Sequence, residues 1–96
     1  LKKTLPSPEI EVEKIGEGDF RVRVIDGTSA STHRVTLKAN DFERLAAGKS
    51  APEELVRRSF EFLLEREPKE SILASFDLSV IARYFPEYES EIARRL

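Results

Sequence analysis

The hydrophobic pattern of this chain changes period once, close to Ala39. Before that point apolar and polar side chains alternate. Ile10 and Val12 are interleaved with Glu9, Glu11 and Glu13, and Phe20, Val22 and Val24 with Arg21 and Arg23; Val35 and Leu37 follow with Arg34, Thr36 and Lys38. Period-two alternation rich in β-branched residues predicts three half-buried strands. Gly16-Glu17-Gly18 suits a short hairpin loop with a glycine at positive φ. Residues 26–31, DGTSAS, suit a longer, mobile loop. If Ile15 faces Asp19, then Glu13 faces Arg21 and Glu11 faces Arg23, while Val12 meets Val22 and Ile10 meets Val24. Opposite charges on one face and apolar pairs on the other agree on that register.

Beyond Ala39 the period is helical. Asn40 or Asp41 can cap a short helix that ends near Gly48. Ser50, Pro52 and Glu53 suit the start of a second helix, as N-cap, first-turn proline and capping-box acid. It should run to about Arg66, before Pro68. Its apolar residues Leu55, Val56, Phe60, Phe62, Leu63 and Leu64 spread over roughly 200° of the circumference, wider than a surface helix needs. Such a helix must be covered on two sides, by the sheet and by the C-terminal segment. Residues 67–76 leave helix and connector open, with Ile72, Leu73 and Phe76 as anchors. Asp77 can cap a third helix. Pro86 divides the apolar stripe Ile81, Tyr84, Phe85, Tyr88, Ile92 and Leu96, because its ring would clash with the Ala82 carbonyl and it biases Phe85 away from helical angles. One helix is expected to end at Tyr84 or Phe85 and another to begin at Pro86. Phe85 should then turn inward and the two tyrosines lie nearer the rim, where an apolar ring with a polar tip is at home.

The expected architecture is α+β: a three-stranded antiparallel β-meander followed by three to four helices packed on one face. A flexible lead-in covers residues 1–8 and a single domain covers residues 9–96. With 96 residues, 40% hydrophobic and 35% charged, one core and a well-solvated surface fit that size. The net charge of −2 argues against a protein that works mainly by neutralising phosphates. The chain has no cysteine, which removes thiolate chemistry and fits a reducing compartment. It contains no apolar run of membrane-spanning length and no signal peptide. Methionine is missing even at position 1, so residues before Leu1 are expected.

Little of the chemistry is distinctive. Ile15-Gly-Glu-Gly-Asp-Phe20 resembles the glycine loop that covers ATP phosphates in protein kinases. Arg21 stands where that family has its third glycine, and no lysine strand, catalytic loop or magnesium motif follows, so the stretch reads as a hairpin turn. His33 is the only histidine; a metal site would need partners that the sequence does not supply, and the residue reads as a rim histidine at the sheet edge. Arg23 and Arg34 can sit side by side on the open sheet face; with Lys38, Arg57 and Arg58 they form the basic set available to a nucleic-acid-binding or antitoxin-like regulator. Phe20 points to the other face, so that surface lacks an aromatic stacking platform. A helix-turn-helix would need a turn shorter than the gap around residues 67–76.

From Ser59 the chain reads SFEFLLEREPKESILASFDLSVIARYFPEYESEI. This resembles the C-terminal half of a group of small, uncharacterised bacterial proteins that share the Glu-Pro helix stop, Ser-Ile-Leu, Phe-Asp-Leu and Tyr-Phe-Pro-Glu-Tyr. The resemblance implies a cytoplasmic bacterial protein and brings no catalytic residue. The expectation for function is a non-enzymatic interaction module with no cofactor, metal or membrane partner. It would bind another protein, or itself as a homodimer, through Tyr84, Tyr88, Ile92 and Leu96.

Overall fold

The structure, a computed structural model, describes residues 8–96. The expected flexible lead-in falls, for residues 1–7, outside the described residues. Three strands come first: β1 (Glu9–Gly16), β2 (Asp19–Asp26) and β3 (Ser29–Thr36). The pairing of β1 with β2 is the one the charges require, Glu11 opposite Arg23, Glu13 opposite Arg21, Val12 opposite Val22 and Ile10 opposite Val24. The hairpin closes differently at its tip. Gly16 rather than Ile15 faces Asp19, and the register shifts between Lys14 and Gly16, so Ile15 is a bulge. Between β2 and β3 the expected long loop is a tight turn at Gly27-Thr28, with Ser29 already paired to Asp26. Its small polar residues form the start of β3.

The helices are α1 (Ala39–Ala46), α2 (Pro52–Leu64), α3 (Val80–Tyr84) and α4 (Tyr88–Arg95). Neither Asn40 nor Ser50 caps through its side chain: Lys38 and Ala51 hold the N-cap positions of α1 and α2 in extended conformations, and Pro52 opens α2. A proline there costs nothing, because the first amide of a helix has no internal partner.

The α+β class stands, but the sheet has four strands in the order β1-β2-β3-β4, not three. The fourth is β4 (Ser75–Asp77), which overlaps the end of the open stretch 67–76 and takes in Asp77, and it runs parallel to β3. A parallel neighbour needs a crossover connection, and α1 and α2 provide it. Three residues are too few for alternation to be recognised, so the strand is invisible until β3 is there to pair with it.

The sheet face carrying Phe20, Val22, Val24 and Val35, each nearly or completely buried, belongs to the core; α2 packs on the sheet, α1 and α4 pack on α2, and α3 packs on α4. The breadth of the apolar arc on α2 is used as expected. Phe60 packs towards the sheet, 5.4 Å from His33 and 6.0 Å from Phe76. Phe62 packs towards the C-terminal segment, 5.8 Å from Phe85 and 5.3 Å from Tyr88. Among the described residues no helix is long and apolar enough to cross a membrane.

The hairpin tip is fastened to the end of β3. Gly18 adopts φ +64° and its carbonyl accepts the Leu37 amide at 2.9 Å. A Cβ at Gly18 would stand 2.7 Å from the Leu37 carbonyl oxygen, whereas one at Gly27, also at positive φ, would meet nothing within 4 Å. Gly18→Ala should therefore cost about 1–3 kcal/mol from strain and collision together, and Gly27→Ala only about 1 kcal/mol from conformation. Urea midpoints of the two variants check this; equal losses would show that the close approach to Leu37 is unimportant.

Candidate interaction groove

Three successive chain segments build an apolar depression on the surface. The first is the C-terminal turn of α2, which supplies Leu63. Pro68 then stops the helix, and a 3-10 turn at Lys69–Ser71 redirects the chain to Ile72 and Leu73. The segment enters β4 anchored on both sides of the strand: the Arg34 amide donates to the Ala74 carbonyl at 2.8 Å, and the Leu78 amide to the Thr36 carbonyl at 2.9 Å.

His33 completes the anchoring from within the sheet. The Leu73 carbonyl can only accept, so His33 Nδ1 carries the proton of their 2.8 Å hydrogen bond. With the proton there, Nε2 accepts from the Ser31 hydroxyl, also at 2.8 Å. The ring is 2% exposed and packs on Phe60. This corrects the rim position expected from sequence: β4 and its approach cover the sheet edge on which His33 would have stood. A serine hydroxyl on an oriented imidazole is also the skeleton of a nucleophilic pair. However, the ring is sealed beneath Leu73 and lines neither of the two main depressions, so the contacts it makes are those of a structural tie.

Asp77 fixes the exit from β4. Burial pushes its carboxyl up, but hydrogen bonds from the Ser79 amide (3.0 Å) and hydroxyl (2.7 Å) and from Thr36 (3.0 Å), with Lys38 at 3.6 Å, hold it below the usual carboxylate range. The first turn of α3 is thus set in place, with Ile81 inward and Tyr84 outward.

The third segment is the corner around Pro86. Phe85 ends α3 in an extended conformation (φ −131°, ψ 90°), as the proline requires. The Tyr88 amide closes a turn onto the Phe85 carbonyl at 2.9 Å, so α4 begins at Tyr88, two residues later than Pro86. Arg66 braces this corner, its guanidinium 3.7 Å over the Phe62 ring and 3.1 Å from Glu87.

That corner separates the two tyrosines. Tyr84 is 68% exposed, whereas Tyr88 is 1% exposed and Ile92 is fully buried. The expected partner surface of Tyr84, Tyr88, Ile92 and Leu96 is therefore corrected: Tyr88 and Ile92 lie i,i+4 on the face of α4 that covers α2, and Leu96 packs against the same core. Tyr88 can enter because a partner for its hydroxyl lies inside. Ser59 gives its own proton to the Leu55 carbonyl (2.8 Å), leaving its oxygen to accept from Tyr88 at 2.6 Å. No pattern along α2 marks Ser59 as that partner; a lone serine on an otherwise apolar face is the only signal.

The resulting groove encloses about 400 Å³ and is lined by Leu63, Ile72, Leu73, Phe76, Val80, Ile81, Tyr84 and Phe85, with Glu67 and Ser71 as its polar members. Leu73, 50% exposed, and Tyr84 are the large hydrophobic side chains exposed among the described residues, and both line it. A second depression of about 680 Å³, beside the β1–β2 turn, has Phe20, Leu37, Phe42 and Pro52 in its lining together with Lys14, Lys38, Glu17 and Asp77. The glycine turn that resembles a phosphate-binding loop sits there, closed onto Leu37.

The basic set is dispersed and engaged with acids. Arg34 stands opposite Arg21 rather than beside Arg23, and its Nε and Nη2 reach the Asp19 carboxylate at 3.0 and 2.5 Å. Those hydrogen bonds hold Asp19 below the usual carboxylate range. Arg23 lies 3.7 Å from Glu11 and Lys38 3.6 Å from Asp77. On α2, Arg58 contacts Glu61 at 3.2 Å, and Arg57 reaches Glu54 at 3.9 Å and donates to the Ile10 carbonyl. Phosphates would have to compete with a carboxylate at every one of these positions. Among the described residues no cluster of three or more acidic or histidine side chains could hold a metal ion.

No family model matches the chain, and neither the curated proteins nor the solved structures yielded a similar protein.

Two outcomes follow from the buried contacts. Burial raises the Tyr88 phenol to about 12, so the folded chain keeps this proton where the unfolded chain loses it. The stabilisation is complete below about pH 10 and is lost as pH rises towards 12, a loss of about 2–3 kcal/mol. Tyr88→Phe should cost about 1 kcal/mol at neutral pH and remove that part of the alkaline decline, as read from urea midpoints on both sides of pH 10. His33→Leu leaves the Leu73 carbonyl and Ser31 without their partner and should cost about 1–3 kcal/mol. Hydrogen exchange should then accelerate first around Leu73; a uniform acceleration would contradict the tie between β3 and the groove wall.

Proposed function

We propose that this protein is a non-enzymatic interaction module whose docking surface is the groove between the end of α2, the approach to β4 and α3. The observation that carries the reading is the coincidence of Leu73 and Tyr84, the exposed large hydrophobics of the described chain, on one concave apolar surface. Exposed apolar side chains scattered singly need no explanation, but two that share a groove mark a place where another polypeptide can be buried. The walls are held by main-chain and His33 hydrogen bonds, so docking costs little ordering of the receptor. The absence of cysteine fits a module working in the cytoplasm.

Peptide display selected on the folded chain tests this. Apolar peptides should be recovered, and in titrations they should lose at least about tenfold in affinity to Tyr84→Asp, since a hot-spot aromatic carries that much. They should bind Arg23→Glu unchanged. Peptides that ignore Tyr84→Asp, or selections that yield none, would overturn the groove as the docking surface.

A further inference from the structure

Two charges beside the groove stand apart from the ion pairs of the rest of the chain. Every arginine of the chain except Arg83 lies within 3.9 Å of a carboxylate oxygen. Arg83 is exposed, sits on α3 next to Tyr84, and has no ion-pair partner among the described residues. Glu67 lines the same groove, is half-buried against its apolar wall, and likewise has no cation within reach among the described residues. One rim of the groove thus offers an unmatched anion and a neighbouring helix an unmatched cation, with Leu73 and Tyr84 exposed alongside.

We infer that the groove takes a second copy of this chain. A two-fold axis makes residue i of one protomer meet residue j of its partner and the reverse. A surface carrying both an anion and a cation is then its own complement. Arg83 of each protomer answers Glu67 of the other, twice per dimer, while Tyr84 and Leu73 enter the facing groove. A charge leaving water at an interface needs a partner to offset its desolvation, and this arrangement supplies one for both groups without disturbing any existing pair. The alternative edge-to-edge dimer is opposed by charge. β1 presents Glu9, Glu11 and Glu13 on one face, and strand-to-strand pairing of two copies would bring these together.

This inference rests on the groove being a docking surface, and its test separates the two. Sedimentation equilibrium of the full chain should show a concentration-dependent monomer–dimer equilibrium. Arg83→Glu and Glu67→Arg should each raise the dissociation constant at least about tenfold by placing like charges together. The double variant Glu67→Arg/Arg83→Glu should recover most of the loss, because it restores opposite charges at both contacts. Both side chains lie outside the core, and circular dichroism of each variant verifies that it is folded. A chain that is monomeric up to millimolar concentration overturns the dimer; if it still binds groove peptides through Tyr84, the groove reading stands without it. A dimer that ignores both single variants, or a double variant that recovers nothing, overturns the Glu67–Arg83 pairing.

Discussion

Helix α2 is apolar over more of its circumference than any one surface can cover, and the remaining elements are placed by that constraint. Phe60 on one side calls for the sheet, and Phe62 on the other calls for the C-terminal helices. The chain leaves α2 at Pro68 and must first reach the sheet, where β4 joins β3, before it returns across α2 as α4. The segment that makes this journey is therefore stretched over the edge of the core rather than buried in it. Ile72 points in, Leu73 points out, and a groove opens along its path. The candidate site is a by-product of covering one helix from two directions.

Two polar side chains inside this core tie its layers together. His33 and Ser59 are both buried, and each uses one hydrogen bond to join elements distant in sequence, β3 to the approach of β4 and α2 to α4. A buried polar group without a partner costs more than a hydrogen bond returns, so these contacts select one arrangement of the layers rather than adding much to its stability.

Much of the sheet can be read from residues alone, because the cues there are redundant. Alternation, β-branching and the facing of Glu11 and Glu13 with Arg23 and Arg21 all specify one register. The turn at Gly27 was obscured because Ser29, Ala30 and Ser31 have the composition of a loop, and only pairing with β2 extends them. β4 was hidden by its brevity. The groove was half legible. Tyr84 stands out in the aromatic cluster, and Pro86 announces the corner, but which tyrosine turns inward depends on where α4 resumes and on whether a hydroxyl partner awaits inside. Leu73 reads as an anchor beside Ile72 and Phe76, but half of it is exposed, and it is its carbonyl, bonded to His33, that ties the segment down.

Arg57 gives the sheet a property that emerges only late in synthesis. Its guanidinium occupies the Ile10 carbonyl of β1, the long outer strand of the sheet. An open strand edge is a template for pairing with other chains, and proteins blunt it with charge or cover. Here the cover comes from a helix made some forty residues after the strand it protects. A nascent chain whose β-meander has formed but whose α2 has not yet left the ribosome carries that edge uncovered. Until α2 docks, the Ile10 carbonyl lacks its Arg57 donor, and whatever speeds the docking of α2 shortens the time for which this part of the strand edge stands open.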